Sequence, residues 1–431
     1  MPVPLRPHLR AVEFVPVGPE REPGFALRDP EEIGQCVVLS SGGALLATLM
    51  DGRRTLAEIQ EGFRARTGLP AALADVEKVV RRLDEAHLLR SERFERRQRS
   101  VIEAFLRNPV RPATHAGAAY AEEPDELRRQ LDAAFTAPGG PGPVEPDGSS
   151  DGRRLCGLIA PHIDPERGKA TFAWGYKQVA EACDADRFVI FGTAHGPIEQ
   201  PFCLSRKHLD TPLGLVRTDQ QFVDRIAEHL ASSVAGRQLD LFADEPAHRM
   251  EHSIEFQTVF LQHLLGGRQA FRIVPVLVSS FQEFFEGAIT PGDSPEVQSF
   301  LAAVLAAAKA HGGRVCFISA ADLAHIGPRY GDPEKLDDAR LAEQARDDRR
   351  LLDKACAGDA DAVFRHVAEQ NDRARICGLA PTYVMLEVLR AAYEVSPGRL
   401  LHYHQAVAPE GAACVSFASV GFFEGSEGSH P

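Results

Sequence analysis

Three apolar segments of the chain each end in a histidine, and this repetition constrains the fold more than any other feature of the sequence. They are residues 155–162 (LCGLIAPH), 187–195 (RFVIFGTAH) and 314–325 (RVCFISAADLAH). Continuous runs of Val, Ile, Leu and Phe are typical of parallel strands that are buried on both faces. In an open α/β sheet, ligands bind outside the carboxyl ends of such strands. We therefore expect His162, His195 and His325 to share one site, whereas a single histidine there is more often a packed structural residue.

From residue 155 onward, strand patterns alternate with helix patterns. Strands are predicted at 155–161, 188–192, 271–278, 315–319, 401–407 and 413–423, and helices at 171–183, 220–230, 255–265, 297–311, 335–369 (a long charged region) and 381–393. This alternation predicts an α/β domain over residues 106–425, with one mixed, centrally parallel sheet flanked by helices. Within the domain, residues 137–152 are rich in Pro, Gly and Ser, which predicts a flexible loop.

The first 98 residues have a different pattern. A short strand at 34–39 precedes amphipathic helices at 44–50, 56–66 and 71–88, which are separated by turn sequences. An extended segment at 88–94 is expected to return as a wing strand. Together these elements predict a small winged-helix domain over residues 1–98. Residues 91–105 are predicted to form a charged, helical connector.

Charge and hydropathy argue against several classes of protein. The net charge is −13; residues 1–100 contain 16 basic and 15 acidic side chains, so the remainder carries 32 − 46 = −14. Such an acidic body argues against nucleic acid as a partner. We see neither an apolar stretch of about 18 residues, as a membrane span requires, nor the apolar core of a secretory signal. The 8 cysteines form no CxxC pair, so we expect free thiols and a cytoplasmic location.

Further side chains are expected near the three histidines. His252 and Glu255 are three residues apart at a predicted helix start and so share a face. Asp322 precedes His325 by three residues, and a carboxylate beside an imidazole can fix its tautomer. Cys377 comes just before a predicted helix, whose dipole would favour a thiolate; a packed, inert thiol is the alternative. Imidazoles combined with a thiolate or carboxylate suit iron, copper or zinc rather than magnesium or calcium.

Seven short segments occur in the order found in a known family. They are His115-Ala116-Gly117 with Tyr120, Ala160-Pro161-His162, Gly192 through His195, Thr211-Pro212-Leu213-Gly214, Glu251-His252-Ser253, Asp322-Leu323-Ala324-His325 and Ile376-Cys377-Gly378. In these segments, which span roughly Arg111 to Phe423, the chain resembles the Memo family. The resemblance implies a fold similar to that of class III extradiol dioxygenases, which hold non-haem Fe(II) by two histidines and a glutamate.

The same resemblance implies roles for individual residues. His162, His195 and Cys377 would bind the metal, with iron(II) preferred and copper second. The catalytic groups lining the pocket would be His252, His325 and Asp322. One segment departs from the family, which usually continues His-Ala-Gly-Tyr where this chain has His162-Ile163-Asp164-Pro165. The ligand is kept, but the tyrosine is not.

The first domain resembles a second family. The matching residues are Asp51, Gly52, Arg54, Thr55, Leu56, Glu58 and Ile59. They are similar to PqqD-like domains, which are small winged-helix modules that hold peptides during ribosomal peptide modification. A docking or packing module and a DNA-binding module are the alternatives, and the nearly neutral charge counts against DNA. A PqqD-like module ahead of a Memo-like domain resembles AmmeMemoRadiSam system protein B, which implies a radical-SAM partner.

Three functions are consistent with these features. The first is a metal-dependent redox or oxygenase-type enzyme with a His/His/Cys site. The second is a non-catalytic adaptor that binds metal and peptide in a radical-SAM modification system. The third is a scaffold without metal. The scaffold hypothesis predicts that residues 162, 195 and 377 lie more than about 8 Å apart, too far to coordinate one ion.

Overall fold

The computed structural model describes residues 4–18, 24–145, 153–231, 239–287 and 289–424. The chain divides into two compact units, residues 1–107 and 108–431. Over the described ranges, none of the helices is both long and apolar enough to cross a membrane.

In its described residues, the first unit contains a small antiparallel sheet and four helices. The strands are β1 (Glu13–Val17), β2 (Gly24–Arg28) and β3 (Val37–Ser40), and the helices are α1 (Ser41–Thr48), α2 (Leu56–Thr67), α3 (Leu73–Glu85) and α4 (Glu92–Arg107). The sheet order β1-β2-β3 leaves β3 at an edge. The apolar stripe of α3 faces the core, since Val76, Val80 and Leu83 are fully buried. A capping box between Thr55 and Glu58 begins α2.

The predicted wing strand at residues 88–94 is wrong. Within the described part of the chain, backbone pairing of this segment with other segments is limited to residues 88–90, where Leu89 forms an isolated bridge to Leu9, and α4 begins at Glu92. Helix formation prevails because Phe94 and Phe105 are both buried while the charged residues between them remain exposed or half-exposed. The predicted helical connector at 91–105 is correct. The winged-helix description of the first unit stays a prediction that rests on the family resemblance.

The second unit alternates strands and helices, as predicted. Its strands are β4 (Val110–Arg111), β5 (Arg154–Ala160), β6 (Arg187–Thr193), β7 (Phe202–Leu204), β8 (His208–Leu209), β9 (Arg272–Val278), β10 (Val315–Ala320), β11 (Asp322–Ile326), β12 (Arg399–Val407) and β13 (Cys414–Glu424). Its helices are α5 (Pro124–Thr136), α6 (Pro165–Ala182), α7 (Gln220–Ala231), α8 (His252–Leu265), α9 (Pro295–His311), α10 (Asp338–Cys356), α11 (Ala360–Ala368) and α12 (Leu379–Ala392).

Among the described residues, eight strands form one sheet in the order β11-β13-β5-β10-β6-β9-β7, with β12 also paired to β13. The four central strands β5, β10, β6 and β9 are parallel, and the remaining pairings are antiparallel. This arrangement confirms the predicted mixed, centrally parallel sheet. Apolar residues of α5, α6 and α8 cover one face, and those of α7, α9, α11 and α12 cover the other.

The segment predicted to be a flexible loop, 137–152, has no helix or strand over residues 137–145; residues 146–152 lie outside the described residues. Its first part is better packed than its composition suggests. Trp174 Nε1 donates a hydrogen bond to the Gly139 carbonyl at 2.8 Å, and Lys177 Nζ donates to the Pro143 carbonyl at 2.7 Å. These bonds attach the segment to α6.

Candidate functional site

Two of the predicted histidines lie where neighbouring parallel strands end. His162 comes two residues after β5, and His195 comes two residues after β6. Only β10 separates these strands in the sheet, so their carboxyl ends lie at one edge. The two imidazole ring centroids are 4.9 Å apart. The strand pattern of the sequence is therefore enough to bring these two side chains together.

Cys377 reaches the same place from the loop before α12. Its Sγ is 3.2 Å from His162 Nε2, and the candidate ligand atoms of His162, His195 and Cys377 all lie within 4.8 Å of one another. A glycine is required beside the thiol, because a Cβ at Gly378 would lie 2.5 Å from the Asp322 carbonyl oxygen. The Gly378 N–H donates to that same oxygen at 3.1 Å.

The orientation of His162 leaves one ring nitrogen free for a ligand. Its Nδ1 donates to the Ala320 carbonyl at 2.8 Å, so Nε2 carries the lone pair that faces Cys377. Its backbone N–H donates to Asp322 Oδ1 at 2.9 Å. Burial, with the nearby His195, lowers the pKa of His162 to about 3. The ring is therefore neutral at pH 7, as metal binding requires.

His195 is held by a carboxylate that the sequence analysis did not single out. Its Nδ1 donates to Glu251 Oε1 and its backbone N–H to Glu251 Oε2, both at 2.9 Å. Burial alone would lower the pKa of His195, but the hydrogen bond and charge of Glu251 raise it above its usual value. Burial would likewise raise the pKa of Glu251, and the contacts with His195 instead lower it strongly. Glu251 is thus a buried carboxylate that stays ionised.

The start of α8 supplies a third imidazole. His252 is its first residue, and its ring stacks on His195 with centroids 4.5 Å apart and lies 5.5 Å from His162. Glu251 caps this helix by accepting the Ser253 N–H at 3.0 Å. Burial and the neighbouring imidazoles lower the pKa of His252 to about 3. Glu251 therefore both caps α8 and holds His195.

A buried ion pair anchors the same helix. Arg111 Nη1 donates to Glu255 Oε2 at 2.7 Å, and Arg111 Nη2 donates to the Glu251 carbonyl at 2.6 Å. The Glu255 carboxylate also accepts the His115 N–H at 2.9 Å and the Tyr120 hydroxyl at 2.5 Å. Glu255 therefore joins the segment that begins at Arg111 to the first turn of α8, rather than facing the imidazole cluster.

Asp322 and His325 differ from their predicted arrangement. His325 lies within β11 rather than at the end of β10, because the chain leaves the sheet centre after Ala320 and pairs with β13. Its Nδ1 faces the carbonyls of Leu323 and Arg375 at 3.2 and 3.1 Å. No hydrogen bond between Asp322 and His325 occurs among the described residues, so the expectation that this carboxylate orients His325 is wrong. The Asp322 carboxylate holds the His162 backbone instead, and burial raises its pKa to about 6.

The expected activation of the Cys377 thiol is also wrong for the metal-free protein. The cysteine does precede a helix start, with Gly378 as the N-cap of α12. Burial nevertheless raises the pKa of Cys377 well above its usual value, and Asp322 raises it further. Desolvation therefore outweighs the helix dipole, so the thiol keeps its proton until a cation replaces it.

A cavity of about 320 Å³ adjoins His195 and Cys377. Much of its wall is apolar, contributed by residues that include Val278, Phe281, Phe285, Ile376 and Leu379. The loop leading to Cys377 also borders it and contains three non-glycine residues with positive φ: Asn371, Asp372 and Arg375, at 51°, 43° and 53°. Such backbone conformations are uncommon and often occur at functional sites. The Arg375 guanidinium donates to Asp332 at 2.7 Å, which stabilises this loop.

The departure at residues 163–165 has a structural role. Asp164 caps α6 by accepting the Glu166 N–H, and Pro165 occupies the first turn of that helix. Ile163 is buried. These residues therefore extend α6 upstream of its predicted start at residue 171.

Comparisons with known proteins agree with this architecture. A family model described as Memo-like protein matches residues 111–421, and one described as coenzyme PQQ synthesis protein D (PqqD) matches residues 17–89. A MEMO1 family protein of Aquifex aeolicus is 27% identical over 419 residues, covering 97% of this chain and 100% of that protein. A MEMO1 family protein of Thermus thermophilus is 28% identical over 344 residues, covering 79% and 91%. Another, from Methanococcoides burtonii, is 30% identical over 232 residues, covering 54% and 73%.

The second unit is an α/β fold that gathers imidazoles and a thiol at the ends of its central parallel strands. The chain belongs to the Memo-like protein family, and a PqqD-like domain lies at its amino-terminal end. Both resemblances inferred from the short motifs are confirmed.

Proposed function

We propose that this protein binds one non-haem transition-metal ion through His162, His195 and Cys377 and uses it for redox or oxygenase-type chemistry. The supporting observation is that two imidazoles and a thiol converge to within 4.8 Å. Bonds of about 2.1 Å to nitrogen and 2.3 Å to sulfur, at angles of 90–109°, separate the two ligand atoms by about 3.1–3.6 Å. The distance of 3.2 Å between His162 Nε2 and Cys377 Sγ fits that range.

The donor set favours iron(II), with copper as the second choice. Imidazoles suit both metals, and a thiolate makes the site softer than an all-oxygen site for magnesium or calcium. With three protein ligands, a bound ion would offer open positions where dioxygen or a substrate is activated. The protein's own contribution is a neutral His162, a fixed His195 and a thiol that is buried until the ion binds.

Three further groups are proposed to handle protons in this site. His252 is neutral at pH 7 and is stacked on His195, so its ring can exchange hydrogen bonds with a group bound beside it. Asp322, whose pKa is about 6, holds a proton more readily than an exposed carboxylate and adjoins His162. His325 is the third candidate, and its ring packs edge-on against Tyr330.

We further propose that the first unit holds a peptide or protein in a system with a radical-SAM partner. The match to PqqD and the exposed edge strand β3 support this role. Along β3, buried Val37 and Leu39 alternate with Val38, which is 50% exposed. An edge strand of this kind can pair with an extended peptide. The same features support the second candidate function, a non-catalytic adaptor that binds metal and peptide.

Metal analysis of the purified chain tests the site. We expect about one equivalent of iron in the wild type and a strong loss in His195→Ala and Cys377→Ser. Cobalt(II) loading should produce a thiolate-to-metal charge-transfer band that Cys377→Ser lacks. Cys36→Ser is the matched control, because Cys36 is an exposed free thiol in the first unit. Equal metal content in all four proteins would contradict the proposal.

Peptide titration of the full chain tests the first unit. The probe is a fluorescent peptide derived from the radical-SAM partner's substrate, followed by anisotropy. Val38→Asp places a charge on the exposed face of β3 and should weaken binding at least 10-fold. Leu69→Asp, at a side chain that is 63% exposed outside the sheet, should not. No wild-type binding at millimolar peptide would leave a packing module as the better description.

A further inference from the structure

The structure offers two overlapping sets of metal-ligating side chains among its described residues. One is His162, His195 and Cys377, and the other is His195, Glu251 and His252. Because His195 belongs to both sets, the orientation of its ring decides which set can bind an ion. Each of its ring nitrogens can serve only one partner at a time.

The carboxylate of Glu251 is already committed to N–H donors. Its Oε1 accepts from His195 Nδ1 and from the Ser253 N–H, and its Oε2 accepts from the His195 N–H. The residue is only 5% exposed, so these bonds have little competition from water. An ion bound to Oε1 would displace the Ser253 N–H, which caps α8, or the His195 Nδ1–H, because both lone pairs of that oxygen are already used.

We propose that Glu251 is a positioning residue for the metal site and not one of its ligands. By accepting the Nδ1 proton of His195, Glu251 selects the tautomer whose lone pair is on Nε2, and it turns that nitrogen toward His162 and Cys377. The inference deepens the proposed metal-binding function and rests on it. A carboxylate behind a metal-binding imidazole fixes the ring and makes it a more basic ligand.

The backbone of Glu251 is itself held in place by hydrogen bonds. Arg111 donates to the Glu251 carbonyl at 2.6 Å and to the Glu255 carboxylate at 2.7 Å, so two points of the first turn of α8 are fixed by one side chain. The Ser253 hydroxyl donates to the Thr193 carbonyl at 2.9 Å, which joins the same turn to the end of β6. The helix start and the strand that carries His195 therefore form one rigid support.

The first test needs no metal. Long-range ¹⁵N–¹H NMR of imidazole rings reports which nitrogen carries a proton, and His195→Gln identifies the His195 signals by their loss. In the metal-free wild type we expect a proton on Nδ1 of His195. In Glu251→Ala, which removes the acceptor, we expect a substantial population with the proton on Nε2 only. Asp132→Asn is the control, since it removes a carboxylate hydrogen-bonded to His263 at 2.8 Å. Unchanged His195 signals in Glu251→Ala would overturn the inference.

The second test measures metal affinity with cobalt(II) alone as the probe. Glu251→Gln should bind 10- to 100-fold more weakly, as is typical when such a partner is lost, and should keep the thiolate charge-transfer band at saturation. Glu251→Asp retains a carboxylate and should recover part of the affinity, whereas Asp132→Asn should match the wild type. Thermal melts confirm that each variant is folded.

The outcomes separate this inference from the proposed function. Wild-type affinity in Glu251→Gln would overturn the positioning role, and so would cobalt d–d bands showing that the variant has lost an oxygen ligand. Failure of the wild type to bind cobalt would contradict the metal site itself, while the NMR result would still decide how Glu251 acts on His195.

Discussion

Replacement of Arg111 by methionine should strongly destabilise the second unit. The side chains of Arg111 and Glu255 are only 3% and 1% exposed, and their charges meet at 2.7 Å. Breaking a buried pair leaves an uncompensated charge and typically costs about 3–5 kcal/mol. Methionine keeps most of the stem volume, so the loss reflects the missing guanidinium. We therefore expect the free energy of unfolding to fall by about that amount.

The single tryptophan provides the assay. Trp174 is the one Trp in the sequence and lies on α6, so its fluorescence during urea unfolding reports on the second unit without interference from the first. Arg111→Met, Glu255→Gln and the double variant form a thermodynamic cycle. The double variant should be less destabilised than the sum of the single variants by at least about 2 kcal/mol, since the two groups are in direct contact.

The pH dependence gives a second, independent reading of the same pair. Burial would raise the pKa of Glu255, but Arg111 holds it below its usual value of 4.5. A carboxyl group whose pKa is lower in the folded than in the unfolded chain stabilises the fold at any pH above its unfolded pKa. That stabilisation is lost as the pH falls through the folded pKa. Without Arg111, burial raises the pKa of Glu255 and the carboxyl group takes up a proton more readily. The difference in the free energy of unfolding between wild type and Arg111→Met should thus be largest near pH 7 and should decrease below about pH 4.5. A loss in the free energy of unfolding of less than about 1 kcal/mol at pH 7 would refute the reasoning. A difference between wild type and variant that does not change with pH would refute it as well.

Two further predictions concern the metal-free protein. Burial lowers the folded pKa of three histidines: to about 3 for His162 and His252 of the site, and to about 4 for His248, whose Nε2 lies 3.1 Å from the Cys203 carbonyl oxygen. Below pH 6.5 the unfolded chain therefore takes up protons that the folded chain does not. Each of these histidines should lower the free energy of unfolding by about 1 kcal/mol at pH 5.5. His195 and Asp322, whose folded pKa values are raised, should offset part of that loss. A urea midpoint that is constant from pH 7.5 to 5.5 would argue against this effect of burial on the three histidines. Gly378→Ala should cost about 1–3 kcal/mol and weaken cobalt binding, because its Cβ would overlap the Asp322 carbonyl. Gly267→Ala is the control, because no heavy atom lies within 4 Å of a Cβ at that position. It should change neither the stability nor cobalt binding.

The sequence by itself determined the central sheet and part of the site. Continuous apolar runs predicted buried parallel strands, and β5, β6, β9 and β10 all formed where those runs occur. Because parallel strands end at one edge, the strand pattern alone was enough to place His162 and His195 together. The α4 helix shows the limit of local patterns. Its first residues were predicted to belong to a wing strand. The burial of Phe94 and Phe105 on one face stabilises a helix there instead.

Tertiary structure alone decided which groups pair inside the site. The bonds between Glu251 and His195 and between Cys377 and His162 join residues 56 and 215 positions apart, and no periodicity specifies such contacts. Asp322 was expected to serve His325, its neighbour in sequence, but β11 crosses to β13 and leaves the carboxylate against His162. Local spacing predicts which side chains share a face. The partner of a buried polar group depends on every element packed around it, because each donor and acceptor excluded from water must find its partner there.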